Sequence, residues 1–200
     1  MLGSASPRRR ELLLARGLEF AVVAVDVDES FTPTNDPEAI AAELAERKAC
    51  AVSGLVSEEA RWVLGGDTLV VLDVPGALPR YLGKPGSPAE ALAMLASLSG
   101  TTHRVVTGVS AMRLVDGVLA SSAETTFVTM RRITEAELDA YVASGEWEGK
   151  AGGYAIQETA DRFVEHLGGG GFDNVVGLPV ELALELLGSL GWVDPGAPRR

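Results

Sequence analysis

Four short stretches of the chain combine polar side chains with turn residues in ways that could do chemistry on an anion. The first is "GSASPRRRELL", where Ser4, Ser6 and Pro7 precede three consecutive arginines, Arg8, Arg9 and Arg10. A helix N-terminus already carries partial positive charge and unpaired N–H groups, so arginines there oppose the macrodipole. An anionic ligand resolves that conflict, because hydroxyls, backbone N–H groups and guanidinium forks together cradle phosphate oxygens. A solvated helix start that happens to be basic is the equal alternative on this stretch alone.

The second stretch is "DVDES", with Asp26, Asp28 and Glu29 after an apolar run; it is either a polar turn, the more ordinary reading, or a set of oxygen ligands for a hard cation. In the third, "GGDTLVV", Asp67 interrupts an apolar strand, where a carboxylate is costly unless paired, metal-bound or used as a cap, and Thr68 adds a hydroxyl. The fourth, "EGKAGGYAIQ", holds Lys150 and Gln157 among glycines and is followed by "GGGGFDNVVGLP". The Gln157 amide could read a base edge, or the segment could be a surface loop. Lys48 and Lys84 are either surface lysines or further anion contacts. His103 and His166 have no metal-ligand spacing, and His103 reads as a structural or secondary polar contact. No "GxxxxGK[ST]" loop and no convincing Ser-His-Asp order are present. What remains suits attack by water on a phosphate, with lysine and arginine on the oxygens, carboxylates on a divalent metal and one carboxylate activating water.

The elements that must position these residues are legible in outline. "FAVVAVDV" reads as a strand. "DPEAIAAELAERKACAVSGL" reads as a helix capped by Asp36 with Pro37 in its first turn, and "RWVLGGDTLVVLD" as a strand interrupted at Gly65 and Gly66. "SPAEALAMLASLSG" is a second capped helix, "HRVVTGVSAMRLVDGVLASSAETTFVTMRRI" gives two strands around the turn "VDG" and then a third, and Thr134 with Glu137 forms a capping box. "LPVELALELLGSLG" supplies a last helix. The pattern predicts an α/β protein with a mixed sheet.

With 200 residues, 46% hydrophobic and 22% charged, the composition is that of a globular protein able to bury a core. A net charge of −11, from 28 acidic and 17 basic residues, opposes broad binding to nucleic acid or anionic membranes. Cys50 is the single cysteine, so no disulfide forms within the chain, and its place in "RKACAV" predicts a buried thiol. No apolar run reaches transmembrane length and no signal-peptide pattern is seen, which predicts a cytoplasmic protein. The tail from 191 to 200 lacks apolar periodicity and is expected to fray.

Taken in order, "GSASPRRRELL", "GGDTLVV", "LGKP", "LSGTTHRVVTGVS", "GKAGGYAIQ" and "NVVGLP" resemble the signature blocks of the Maf family of nucleoside triphosphate pyrophosphatases. Six blocks at similar spacing are far more specific than any one of them. The resemblance implies a single domain over 1–190 with two lobes and a central cleft, as in inosine-triphosphate pyrophosphatases. It also implies cleavage between the α and β phosphates with a divalent cation, Mg²⁺ or Mn²⁺. By position, Asp67 matches the proton acceptor and shares the metal with Glu29, while Ser4, Arg8, Arg9, Lys48 and Lys84 match phosphate and substrate contacts. Arg8, Thr68 and Gln157 match the base-reading positions of the dTTP/UTP group, and a glutamine amide suits the O4 and N3–H edge of uracil or thymine. A homodimer is implied by the resemblance alone.

Two features depart from the family. Only three residues precede Ser4, so the first strand is shorter than usual, and Glu158 follows Gln157 where glycine is usual. Two other readings stay open at this point. One is the same reaction with another base preference, such as 7-methyl-GTP or a broad range. The other is a nucleotide-binding regulator of cell division with little catalysis, although Asp67 and the lysines are retained.

Overall fold

Residues 1–55 and 61–194 are described by a computed structural model of the chain. The elements run β1 (Leu2–Gly3), α1 (Pro7–Ala15), α2 (Pro37–Ser53), β2 (Trp62–Leu72), β3 (Arg80–Leu82), α3 (Pro88–Leu98), β4 (Thr102–Arg113), β5 (Val118–Met130), α4 (Glu135–Ser144), β6 (Val164–Gly169), α5 (Phe172–Val176) and α6 (Val180–Ser189). Three helices start the same way, with Ser6, Asp36 or Ser87 accepting a backbone N–H and proline in the first turn. Helix α4 opens with the full Thr134–Glu137 capping box.

Among the described residues the strands form one six-stranded sheet in the order β1-β2-β4-β5-β6, with β3 also on β2. β1 lies parallel to β2 and every other pairing is antiparallel, so the mixed sheet expected from the sequence is present. Because side chains alternate along a strand, β2 sends Gly65, Asp67, Leu69 and Val71 to one face and Leu64, Gly66, Thr68 and Val70 to the other. Helix α2 covers the first face with a stripe at helical spacing, Ile40, Ala41, Leu44, Ala45, Ala49 and Val52. On the opposite face α3 and α4 pack around Val70 and Val105, while α1 and α6 pack around Leu64 and Val109. Each face therefore carries two apolar clusters, and polar or glycine residues of β2 and β4 lie between them.

Several local expectations are corrected. "FAVVAVDV" makes a single bridge, Val22 with Leu2, because its neighbour β1 is only two residues long. Gly65 and Gly66 do not interrupt β2, which is continuous over 11 residues. Their missing side chains admit neighbours instead: a Cβ on Gly65 would lie 2.4 Å from the Ala45 carbonyl oxygen, and one on Gly108 of β4 would lie 2.0 Å from that of Ala41. The segment after the "VDG" turn is one strand of 13 residues, not two. Cys50 is exposed, since it falls on the outer side of α2. At the C-terminal end Trp192 packs beside α6 and Asp194 accepts from Arg16 Nη2 at 3.2 Å; residues 195–200 of the tail lie outside the described residues.

Candidate active site

One edge of β2 is shared by two short strands. β1 pairs with Leu64 and Gly65, and β3 pairs with Val70 through Leu72, so residues 66–69 have no strand partner on that side among the described residues. The chain leaves β1 at Ser4 and leaves β3 at Gly83 and Lys84, and a cleft of about 710 Å³ opens between the two departures. Asp67 and Thr68 stand on adjacent residues of the open edge and point to opposite faces of the sheet.

On the α2 side, Asp67 is buried and its Oδ1 accepts from Lys48 Nζ at 2.5 Å. The close seating of α2 on Gly65 and Gly108 puts Lys48 there. The same ammonium lies 2.6 Å from Glu29 Oε1, and Lys84 Nζ stands 3.7 Å from Glu29 Oε2. Burial pushes the Glu29 carboxyl up, but the hydrogen bond and charge of Lys48 outweigh it and hold the group below the usual glutamate range.

On the other side, Arg9 is buried and held at three points. Its Nε donates to the Gly177 carbonyl at 2.7 Å, Nη1 to Ser4 Oγ at 3.1 Å and Nη2 to Thr68 Oγ1 at 3.0 Å. Thr68 in turn meets Thr107 Oγ1 at 3.0 Å, and Thr107 donates to the Asn174 carbonyl at 2.9 Å. Burial lowers the pKa of Arg9, opposed by the charge of Asp67. Arg8 is half-buried, with Nε 3.3 Å from the Val176 carbonyl oxygen. Gly177 has φ of +130°, a conformation that L side chains rarely adopt, and its carbonyl is the acceptor for Arg9.

All nine site residues named from the sequence, Ser4, Arg8, Arg9, Glu29, Lys48, Asp67, Thr68, Lys84 and Gln157, line this one cleft. Tyr154 lines it near Gln157, its hydroxyl 2.7 Å from the buried His103 Nε2. Other candidates lie elsewhere. Asp28 closes its own turn by accepting from Ser30, and Arg10 is exposed. Lys150 contacts the Glu146 carbonyl and stands 3.3 Å from Glu158, so Glu158 is tied outside the cleft. Thr107 and the Gly177 carbonyl were not legible as site components. The one signal for Thr107 was a hydroxyl in the middle of an apolar strand. Lys48 carried a clearer one, since it falls on the buried stripe of α2.

Among the described residues no group of three or more His, Cys, Asp or Glu side chains gathers to hold a metal. The Glu29 and Asp67 carboxylates do converge on one cation, the Lys48 ammonium, from two directions. Two hard oxygen donors are enough for Mg²⁺, which commonly keeps one or two carboxylates and completes its shell with substrate phosphates and water. The donor set therefore fits a divalent ion brought in with a phosphate ligand.

A protein from Syntrophotalea carbinolica named dTTP/UTP pyrophosphatase is 39% identical over 193 residues, covering 96% of this chain and 85% of its own. Proteins of the same name from Pelotomaculum thermopropionicum and Alkalilimnicola ehrlichii are 41% and 44% identical, over 96% and 93% of this chain and 96% and 90% of theirs. The Maf-like protein family matches residues 1–190, and the chain belongs to that family.

Proposed function

We propose that the protein hydrolyses dTTP and UTP between the α and β phosphates, giving the nucleoside monophosphate and pyrophosphate. The observation that carries this reading is the arrangement around the open edge of β2. Asp67 with Lys48 faces the cleft from one side of the strand, and Arg9 with Arg8 from the other. That chemistry, in a chain about two-fifths identical to proteins named dTTP/UTP pyrophosphatase, supports a pyrimidine triphosphate substrate.

In this mechanism Arg8, Arg9 and Lys84 bind the non-bridging phosphate oxygens, and Ser4 holds the Arg9 guanidinium in place. Asp67 takes the proton from the attacking water. Lys48 fixes one carboxylate oxygen, which leaves Oδ2 for that water. Glu29 and Asp67 would hold a divalent ion, Mg²⁺ or Mn²⁺, whose charge would neutralise the phosphates when it is bound. The Gln157 amide pairs with the O4 and N3–H edge of the base, with Tyr154 beside it. The acidic surface, net charge −11, argues against a nucleic-acid partner. No described helix is long and apolar enough to cross a membrane. A cytoplasmic location and a homodimer complete the proposal, both resting on the sequence reading.

The test is pyrophosphate release from a panel of canonical and modified nucleoside triphosphates, with Mg²⁺ and with Mn²⁺. Preferential conversion of dTTP and UTP to monophosphate plus pyrophosphate is expected. A preference for a purine nucleotide would overturn the base assignment, and release of orthophosphate with a diphosphate would overturn the cleavage site.

A further inference from the structure

We infer that Asn174 is a positioning residue that aims the arginines of α1 at the phosphates. The inference rests on the reading above and adds a role for "DNVVGLP", which the reaction itself leaves without one. Asn174 is fully buried. Its Nδ2 donates to the Val105 carbonyl of β4 at 3.0 Å and to Thr126 Oγ1 of β5 at 2.8 Å. The orientation of the amide is fixed, because Val105 O can only accept and Thr126 gives its own proton to the Gly171 carbonyl at 3.2 Å. The backbone carbonyl of Asn174 accepts from the Thr107 hydroxyl, and the amide Oδ1 has no partner among the described residues. Asp173 secures the same turn from the other side, accepting from the backbone N–H of Asn174 at 3.0 Å and of Val180 at 2.7 Å.

The turn so fixed presents its last two carbonyls to α1, a segment 168 residues away in sequence. Val176 O and Gly177 O accept from Arg8 Nε and Arg9 Nε. A guanidinium tethered through Nε has its plane and direction set, and its Nη groups project on the far edge where an anion can take them. Asn174 touches neither the cleft nor the arginines. It acts through the carbonyls that hold them.

The face of the sheet separates this role from the chemical step. Asn174, Thr107, Thr68 and Arg9 share one face of β2 and β4, and Asp67 and Lys48 lie on the other. Loosening Asn174 should therefore weaken phosphate binding and raise KM for dTTP, with kcat little changed.

The experiment measures calorimetric binding of inorganic tripolyphosphate and dTTP kinetics for the full chain and Asn174→Ala, at a temperature where both are folded. Misplaced binding groups cost on the order of ten- to a hundredfold. The expected result is a loss of about tenfold or more in tripolyphosphate affinity, with KM rising in parallel. A folded Asn174→Ala protein that binds tripolyphosphate within about twofold of the parent overturns the inference, as does a parent chain that does not bind it. If Asn174→Ala does not fold, Thr126→Val decides. That variant removes one acceptor of the amide and should weaken binding about threefold, and an unchanged affinity overturns the inference. A parent that binds tripolyphosphate but does not hydrolyse dTTP contradicts the proposed function and leaves the Asn174 comparison intact.

Discussion

Lys48 Nζ lies 2.5 Å from Asp67 Oδ1, and the two side chains reach each other because α2 rests directly on the glycines of β2 and β4. Both side chains are largely buried, so each compensates a charge that would otherwise be stranded. The pair sits at the point where one edge of β2 changes partners from β1 to β3.

Lys48→Met leaves the Asp67 carboxylate buried without its cation. Breaking a buried pair in this way costs about 3 kcal/mol. Urea unfolding should show that loss, and the double variant Lys48→Met/Asp67→Asn should regain part of it while staying inactive. Equal destabilisation in the single and double variants would mean that the pair is not coupled.

Gly65→Ala and Gly108→Ala should both push α2 off the sheet, since the added Cβ would lie 2.4 Å and 2.0 Å from backbone oxygens of that helix. Overpacking costs about 1–3 kcal/mol, and at backbone contacts this close the upper end is expected. Activity should fall further than stability because Lys48 moves with the helix. Gly188→Ala in α6 meets no atom within 4 Å and should be neutral or stabilising, by about 0.5–1 kcal/mol. Thermal melting with dTTP turnover checks all three.

His103 gives the fold a pH dependence. Burial holds its pKa down to about 4 from 6.5, so between those values the unfolded chain binds the proton and the folded chain does not. Stability from this group is therefore complete above about pH 6.5 and is lost as pH falls towards 4, by an amount on the order of 3 kcal/mol. Unfolding at pH 4.5 and pH 7 should show a smaller difference in His103→Gln, which keeps a polar partner for Tyr154. An identical difference in both proteins would assign the slope to other groups.

Gln157 lines the cleft, while its neighbour Glu158 is held by Lys150 away from it. Gln157→Ala should reduce the preference for dTTP and UTP over other nucleotides by about tenfold, the scale of a lost base-edge contact, and leave tripolyphosphate affinity unchanged. Glu158→Gly should not alter the substrate profile. A changed profile in Glu158→Gly would place that carboxylate at the base.

Much of this was readable in the residues themselves. The Asp36–Pro37 and Ser87–Pro88 helix starts and the Thr134–Glu137 box depend on contacts within four residues, and the structure forms each of them. Asp67 stood out as a carboxylate in an apolar strand and the arginines as a basic cluster at a turn, whereas Glu29, Lys48 and Lys84 read as ordinary surface groups until the family resemblance placed them. What could not be read depends on contacts far apart in the chain. The glycines of β2 looked like a break because their use is the approach of α2. "FAVVAVDV" has the composition of a strand, but a strand also needs a partner of matching length, and β1 offers two residues. The turn at Asn174 looked like a loop because its hydrogen bonds go to strands roughly fifty to seventy residues away.

The most direct test is a paired measurement on Asp67→Asn: dTTP binding by calorimetry and pyrophosphate release under the same conditions. General-base assistance contributes about 10²–10⁴-fold, so turnover should fall by that factor while dTTP affinity stays close to that of the parent. Turnover within about threefold of the parent, with binding intact, would contradict the role assigned to Asp67.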